Sequence, residues 1–174
     1  MAHEKFSSPE ESTHEQIQGE NHDYCFFDSR GIVHKEFVSP GQTVNHAFYK
    51  DVLERLRKRV QRVRRDFADD WLLQHNAPVH TALSIRDFLA KKNIPVLPHP
   101  PYSPDLAPCD FYLFPELKSK LKGHHFGKME STQKIVTDEL NTLTENDFQY
   151  CYDQWEKRWN HCVTSQGSYF EGDN

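Results

Sequence analysis

Asp110 stands where a rigid segment gives way to a helix. Residues 99–108 hold four prolines, which fix φ and remove amide donors, so the segment reads as an extended loop. From Asp110 onward, Phe111, Leu113, Phe114, Leu117 and Leu121 recur at helical spacing. A carboxylate at the end of a stiff loop is suited to a hard divalent cation. It is equally suited to capping the helix that it opens. Upstream, His75 ends a short apolar run, Trp71-Leu72-Leu73-Gln74-His75, that reads as a strand. An imidazole there is able to ligate a metal, but it is a poor Mg²⁺ ligand and adds no negative charge; a histidine that simply ends a strand is the plainer reading. The spacings of His75, His80, His99, His124 and His125 match no zinc template, and Cys25, Cys109, Cys151 and Cys162 form no C-x-x-C pair.

A second chemistry is carried by cations. Residues 50–65 contain eight Lys or Arg against Asp51 and Glu54. Within them Phe48, Val52, Leu53, Leu56, Val60, Val63 and Phe67 recur at three- and four-residue steps, which predicts a long amphipathic helix from about residue 44 to 67, with Thr43 as its cap. Its opposite face carries Arg55, Lys58, Arg59, Arg62 and Arg65, a candidate nucleic-acid-binding surface. A solvated helix face is the alternative reading of the same residues.

The elements that must position these groups alternate. Residues 24–28 and 32–38 read as a hairpin around Ser29-Arg30-Gly31, with Asp28 in a turn role. The basic helix, the strand at 71–75, a helix at 81–92 and a short strand at 96–98 follow, a βαβ pattern that implies an α/β fold with parallel strands. Helices are expected at about 131–143 and 145–165, where Phe148, Tyr152, Trp155 and Trp159 are helically spaced and read as packing residues. The 174 residues, 36% apolar, suffice for one domain. No apolar run approaches the ~20 residues of a membrane span, so a soluble intracellular protein without a membrane partner is expected. The net charge of −5 comes from residues 1–23, which hold six acids against Lys5 and almost no aliphatics; their composition predicts a disordered acidic leader.

HPPYSPDLAPCDFYLF (99–114), ELKSKLKG (116–123), Asn76-Ala77-Pro78 with His80-Thr81-Ala82, FFDSRGIVHKEFVSPGQTVN (26–45) and the terminal WEKRWNHCV and YFEGD resemble mariner-type transposases of the Tc1/mariner superfamily. The resemblance implies an RNase H-like catalytic domain over residues 24–174, a mixed sheet flanked by helices. In that fold three carboxylates bind two Mg²⁺ (or Mn²⁺) ions for DNA transposition, one metal activating the nucleophile and the other stabilising the leaving oxygen. It places the third carboxylate at Asp110. It also implies a second carboxylate with 34 residues between it and the third, and His75 occupies that place.

No residue before 26 reads as the family's first strand or its first carboxylate, so the sheet is expected to be incomplete, its edges exposed and its stability marginal. One explanation is an out-of-frame leader: codons permitted for residues 13–27, displaced by one base, encode a basic, β-branched string that resembles what the family has before the hairpin. With one carboxylate left, the expectation is a degenerate, catalytically inactive form that does not hold Mg²⁺ tightly. The partners implied are DNA, transposon ends in the family, and a second copy or an intact transposase; the location implied is the nucleus. A host-recruited DNA-binding or protein-interaction module and a weak Mn-dependent nuclease are the alternatives.

Overall fold

The computed structural model describes residues 13–14, 24–39, 41–69, 71–74, 82–100, 102–122 and 129–166. The hairpin forms as β2 (Tyr24–Asp28) and β3 (Gly31–Glu36), antiparallel. Gly31, at φ +133°, supplies a backbone conformation that side-chain-bearing residues rarely adopt. The register carries an irregularity: Phe26 faces His34 but Phe27 faces Ile32, so Val33 is the extra residue of a β-bulge.

The basic helix is α1 (His46–Val63), continued by a 3₁₀ turn at Arg65–Phe67. Its cap is Asn45 rather than Thr43: the Asn45 Oδ1 accepts from the Phe48 amide at 3.0 Å. Both residue types cap well, and the one whose oxygen meets the third amide of the helix takes the role. Tyr49, Val52, Leu53, Leu56 and Val60 are its buried stripe, the face that the periodicity predicts.

β4 (Leu72–Gln74), α2 (Leu83–Lys91) and β5 (Val96–Leu97) make the βαβ unit, with β4 and β5 parallel. A further strand, β1 (Thr13–His14), pairs in parallel with Leu72 and Leu73 on the other side of β4 and lies against β2. The composition of the leader gives no hint of it. A backbone slot beside a buried strand offers ladder hydrogen bonds whatever the side chains, and tertiary context here outweighs propensity. The remainder of the acidic leader lies outside the described residues. The described strands form two small sheets, a parallel one in the order β1-β4-β5, to which β1 and β5 contribute two residues each, and the antiparallel pair β2-β3.

Beyond the proline loop, a wide π-helical turn at Cys109–Leu113 runs into α3 (Phe114–Leu121), followed by α4 (Met129–Leu140) and α5 (Glu145–Thr164). Thr144 and Asp147 form a reciprocal capping box at the start of α5. β2 is buried along its whole length because both of its faces are covered. Tyr24 and Phe26 join Val33, α1, α2, Trp71 and Leu73 in one core. Cys25 and Phe27 point to the other side, where Cys109, Leu113, Leu140, Phe148, Cys151 and Tyr152 form a second. Tyr152 and Trp155 meet edge to face. Among the described residues no helix is long and apolar enough to cross a membrane.

Candidate functional site

Asp110 lies inside the first turn of the π segment, half-buried, and its own amide donates to the Ala107 carbonyl at 2.8 Å. Its amide therefore already has a backbone partner, and the helix start at Pro108 carries no side-chain cap. Pro108 holds the cap position, and Asp110 is the acid of the first turn, at the positive end of the helix. The loop that delivers Asp110 is held from two sides. From α5, the Trp155 Nε1–H donates to the Leu106 carbonyl at 2.9 Å, the Arg158 Nη1–H to the Asp105 carbonyl at 3.3 Å, and the Arg158 guanidinium lies 4.4 Å from the Phe111 ring centre. From the sheet, Gln74 at the end of β4 reaches the same Leu106 carbonyl through Nε2 at 3.4 Å.

Gln74 is completely buried. A carbonyl only accepts, so the bond to Leu106 turns the Nε2 amide toward the loop, and that nitrogen also lies 3.2 Å from His99 Nδ1. His99 then accepts there and carries its proton on Nε2. Burial pushes the His99 pKa down, against the Ser103 backbone hydrogen bond and the Asp110 and Asp105 charges that push it up. The Gln74 Oε1 is left without a hydrogen-bond partner among the described residues. Among the described residues, His99 is close enough to Asp110 and Asp105 to feel both charges. Two divalent ions need several hard, negatively charged ligands. Among the described residues no group of three His, Cys, Asp or Glu is placed to hold a metal ion. His75 lies outside the described residues.

The cations converge elsewhere. Arg55, Lys58, Arg59 and Arg62 of α1 line one side of a cavity of about 660 Å³, whose other sides come from residues 32–35 of β3 and from Asn141 after α4. Arg65, the fifth predicted cation, sits on the 3₁₀ turn and is not part of this lining. Arg55 is bidentate to Glu36, through Nε at 2.9 Å and Nη2 at 2.5 Å. Burial alone would raise the Glu36 pKa, but hydrogen bonds from Arg55 and His34 hold it below the ordinary carboxylate range. The Arg59 Nε–H donates to the Val33 carbonyl at 3.2 Å. Sequence reasoning missed Lys35, His34 and Asn141. Their polar types were visible, but what brings them to α1 is the strand-to-helix packing.

Asp28 was read as a turn residue, and its Oδ1 does accept from the Arg30 amide at 2.9 Å. The structure adds a second role. Asp28 is fully buried and bidentate to Arg64, at 2.6 Å from Nε and 3.1 Å from Nη2, an ion pair that ties the hairpin turn to the end of α1.

A family model described as "Transposase (partial DDE domain)" matches residues 7–69. The Mos1 mariner transposase of Drosophila mauritiana is 36% identical over 151 residues, covering 84% of this chain and 44% of that protein. The histone-lysine N-methyltransferase SETMAR of Homo sapiens is 28% identical over 149 residues, 84% of this chain and 22% of its own length. The chain thus spans less than half the length of these curated relatives. A crystal structure of the Mos1 catalytic domain superposes with a TM-score of 0.83 at 33% identity, covering 94% of this chain and 85% of that one. Other Mos1 structures of similar likeness hold raltegravir with Mn or Mg, or are a pre-cleavage transpososome and paired-end complexes. The α/β architecture, helices packed around two small sheets, is therefore RNase H-like, and the chain belongs to the mariner-type transposases as a form of their catalytic domain.

Proposed function

We propose that this protein is a transposable-element-derived domain that binds DNA and does not cleave it. The observation that carries the reading is the end of β4, where the buried amide of Gln74, not a carboxylate, pairs with His99, a ring near enough to Asp110 to feel its charge. The family's chemistry needs carboxylates gathered around metal. The Mn and Mg of the Mos1 structures are the ions that the family implies, and Asp110 is the one residue that we assign to them here. One carboxylate alone binds such ions weakly. DNA as partner is supported by the Mos1 transpososome and paired-end complexes and by the cationic side chains of α1. A nuclear location and pairing with a second copy or an intact transposase belong to the same reading.

Nicking of supercoiled plasmid by the purified, folded chain in Mg²⁺ and in Mn²⁺ tests the first half. No nicking above a protein-free control is expected. Nicking in Mn²⁺ that Asp110→Ala abolishes would establish a retained weak nuclease instead. A host-recruited role is favoured by the similarity to SETMAR, a protein named for histone methylation. It predicts DNA binding or protein association with no strand chemistry.

A further inference from the structure

We propose that the groove along the free edge of β3 is a phosphodiester-binding site that holds a DNA backbone without reading its bases. The proposal rests on the DNA-binding reading above and moves it from a helix face to a concave site. β3 pairs with β2 alone among the described residues, so its other edge is open. The cavity follows that edge. Four consecutive residues of β3 line it, and the remaining walls come from α1 on one face of the sheet and Asn141 on the other.

Its chemistry sets the sign of the ligand. Five of the nine lining residues, Lys35, Arg55, Lys58, Arg59 and Arg62, are cationic, and none is acidic. Glu36 lies just beyond and occupies Arg55. Lys58 and Arg62 are exposed, and among the described residues no ion pair joins either to an acid. No Phe, Tyr or Trp is among the described lining residues, and the His34 ring is stacked on Phe26 and paired with Glu36, so the site lacks the stacking platform that single-stranded bases need. Contacts from Lys and Arg to phosphates position a duplex and carry no sequence information.

An open sheet edge is also a place where a peptide strand adds, but two features oppose that here. The bulge at Val33 interrupts the ladder, and the Val33 carbonyl is already taken by Arg59. The edge is closed to strand pairing while its flanking charges stay available.

The test is fluorescence anisotropy of the full chain with two labelled duplexes of equal length and unrelated sequence, over a salt series. Both duplexes should bind equally. Lys58→Ala/Arg62→Ala should weaken both about tenfold and lower the slope of log K against log salt by about two. Lys35→Ala, on the strand side of the groove, should weaken both as well, whereas Arg65→Ala should change neither more than about twofold. An unchanged melting temperature shows that the variants fold. Binding that survives in the groove variants, or falls equally in Arg65→Ala, overturns the groove and leaves the DNA-binding reading standing. Absence of DNA binding by the unaltered chain overturns both. Binding of a poly-glutamate peptide in place of DNA, lost in the double variant, would assign the groove to an acidic protein partner and overturn the proposal.

Discussion

The buried pair Asp28–Arg64 joins two positions 36 apart in sequence and removes both charges from most of their water. Such a pair adds little net stability over an apolar replacement, but removing one partner strands the other. Arg64→Met should therefore lower the unfolding free energy by about 3–5 kcal/mol, read from urea titrations, while Asp28→Leu/Arg64→Met should recover most of that loss. A small loss in the single variant would show that Asp28 escapes by protonation or hydration. The turn role of Asp28 was legible, because Asp at a hairpin corner bonds to the backbone two residues on, as it does to Arg30. Its ion pair was not, since Arg64 was one of eight cations in a run and nothing local set it apart. Asp110 was legible through the motif that contains it. Its companions Gln74 and His99 were not, because a buried amide leaves no periodic mark in a sequence.

Elements were most legible where periodicity is long. The stripe of α1 and the span of α5 follow from spacing, and the predicted end of α1 differs only by the 3₁₀ turn that completes it. β1 was invisible because two residues carry no pattern, and its place is fixed by the parallel ladder to β4. The π-helical turn at Cys109–Leu113 escaped as well: its apolar residues suit either winding, and the widening accompanies the anchoring of the loop by Trp155 and Arg158. α5 is thus the element that holds the Asp110 loop, and its start is defined by the Thr144–Asp147 box. Thr144→Ala should cost about 0.5–2 kcal/mol in a denaturant titration. Because α5 carries Phe148, Cys151 and Tyr152 into the second core, the loss should appear in the global transition. A separate, earlier transition would mean that α5 unfolds on its own.

At the scale of the whole molecule, both sheets are short but two cores meet across β2, so a chain with two-residue strands on either side of β4 still buries an interior on each face of the hairpin. The second core holds three of the four thiols. Cys25, Cys109 and Cys151 are buried there, burial pushes the Cys25 pKa up to about 12, and Cys162 on the last turns of α5 is partly accessible. Alkylating reagents attack thiolates that they can reach, so the native chain should take one modification promptly, at Cys162. The other three should be modified only as fast as the interior opens. A timed pulse of N-ethylmaleimide followed by mass spectrometry separates the two classes; labelling of Cys25, Cys109 and Cys151 at the rate of Cys162 would mean that this interior is already open. The three thiols make the domain its own clock for sub-global opening, and they mark the hours before oxidative damage as a property of its packing.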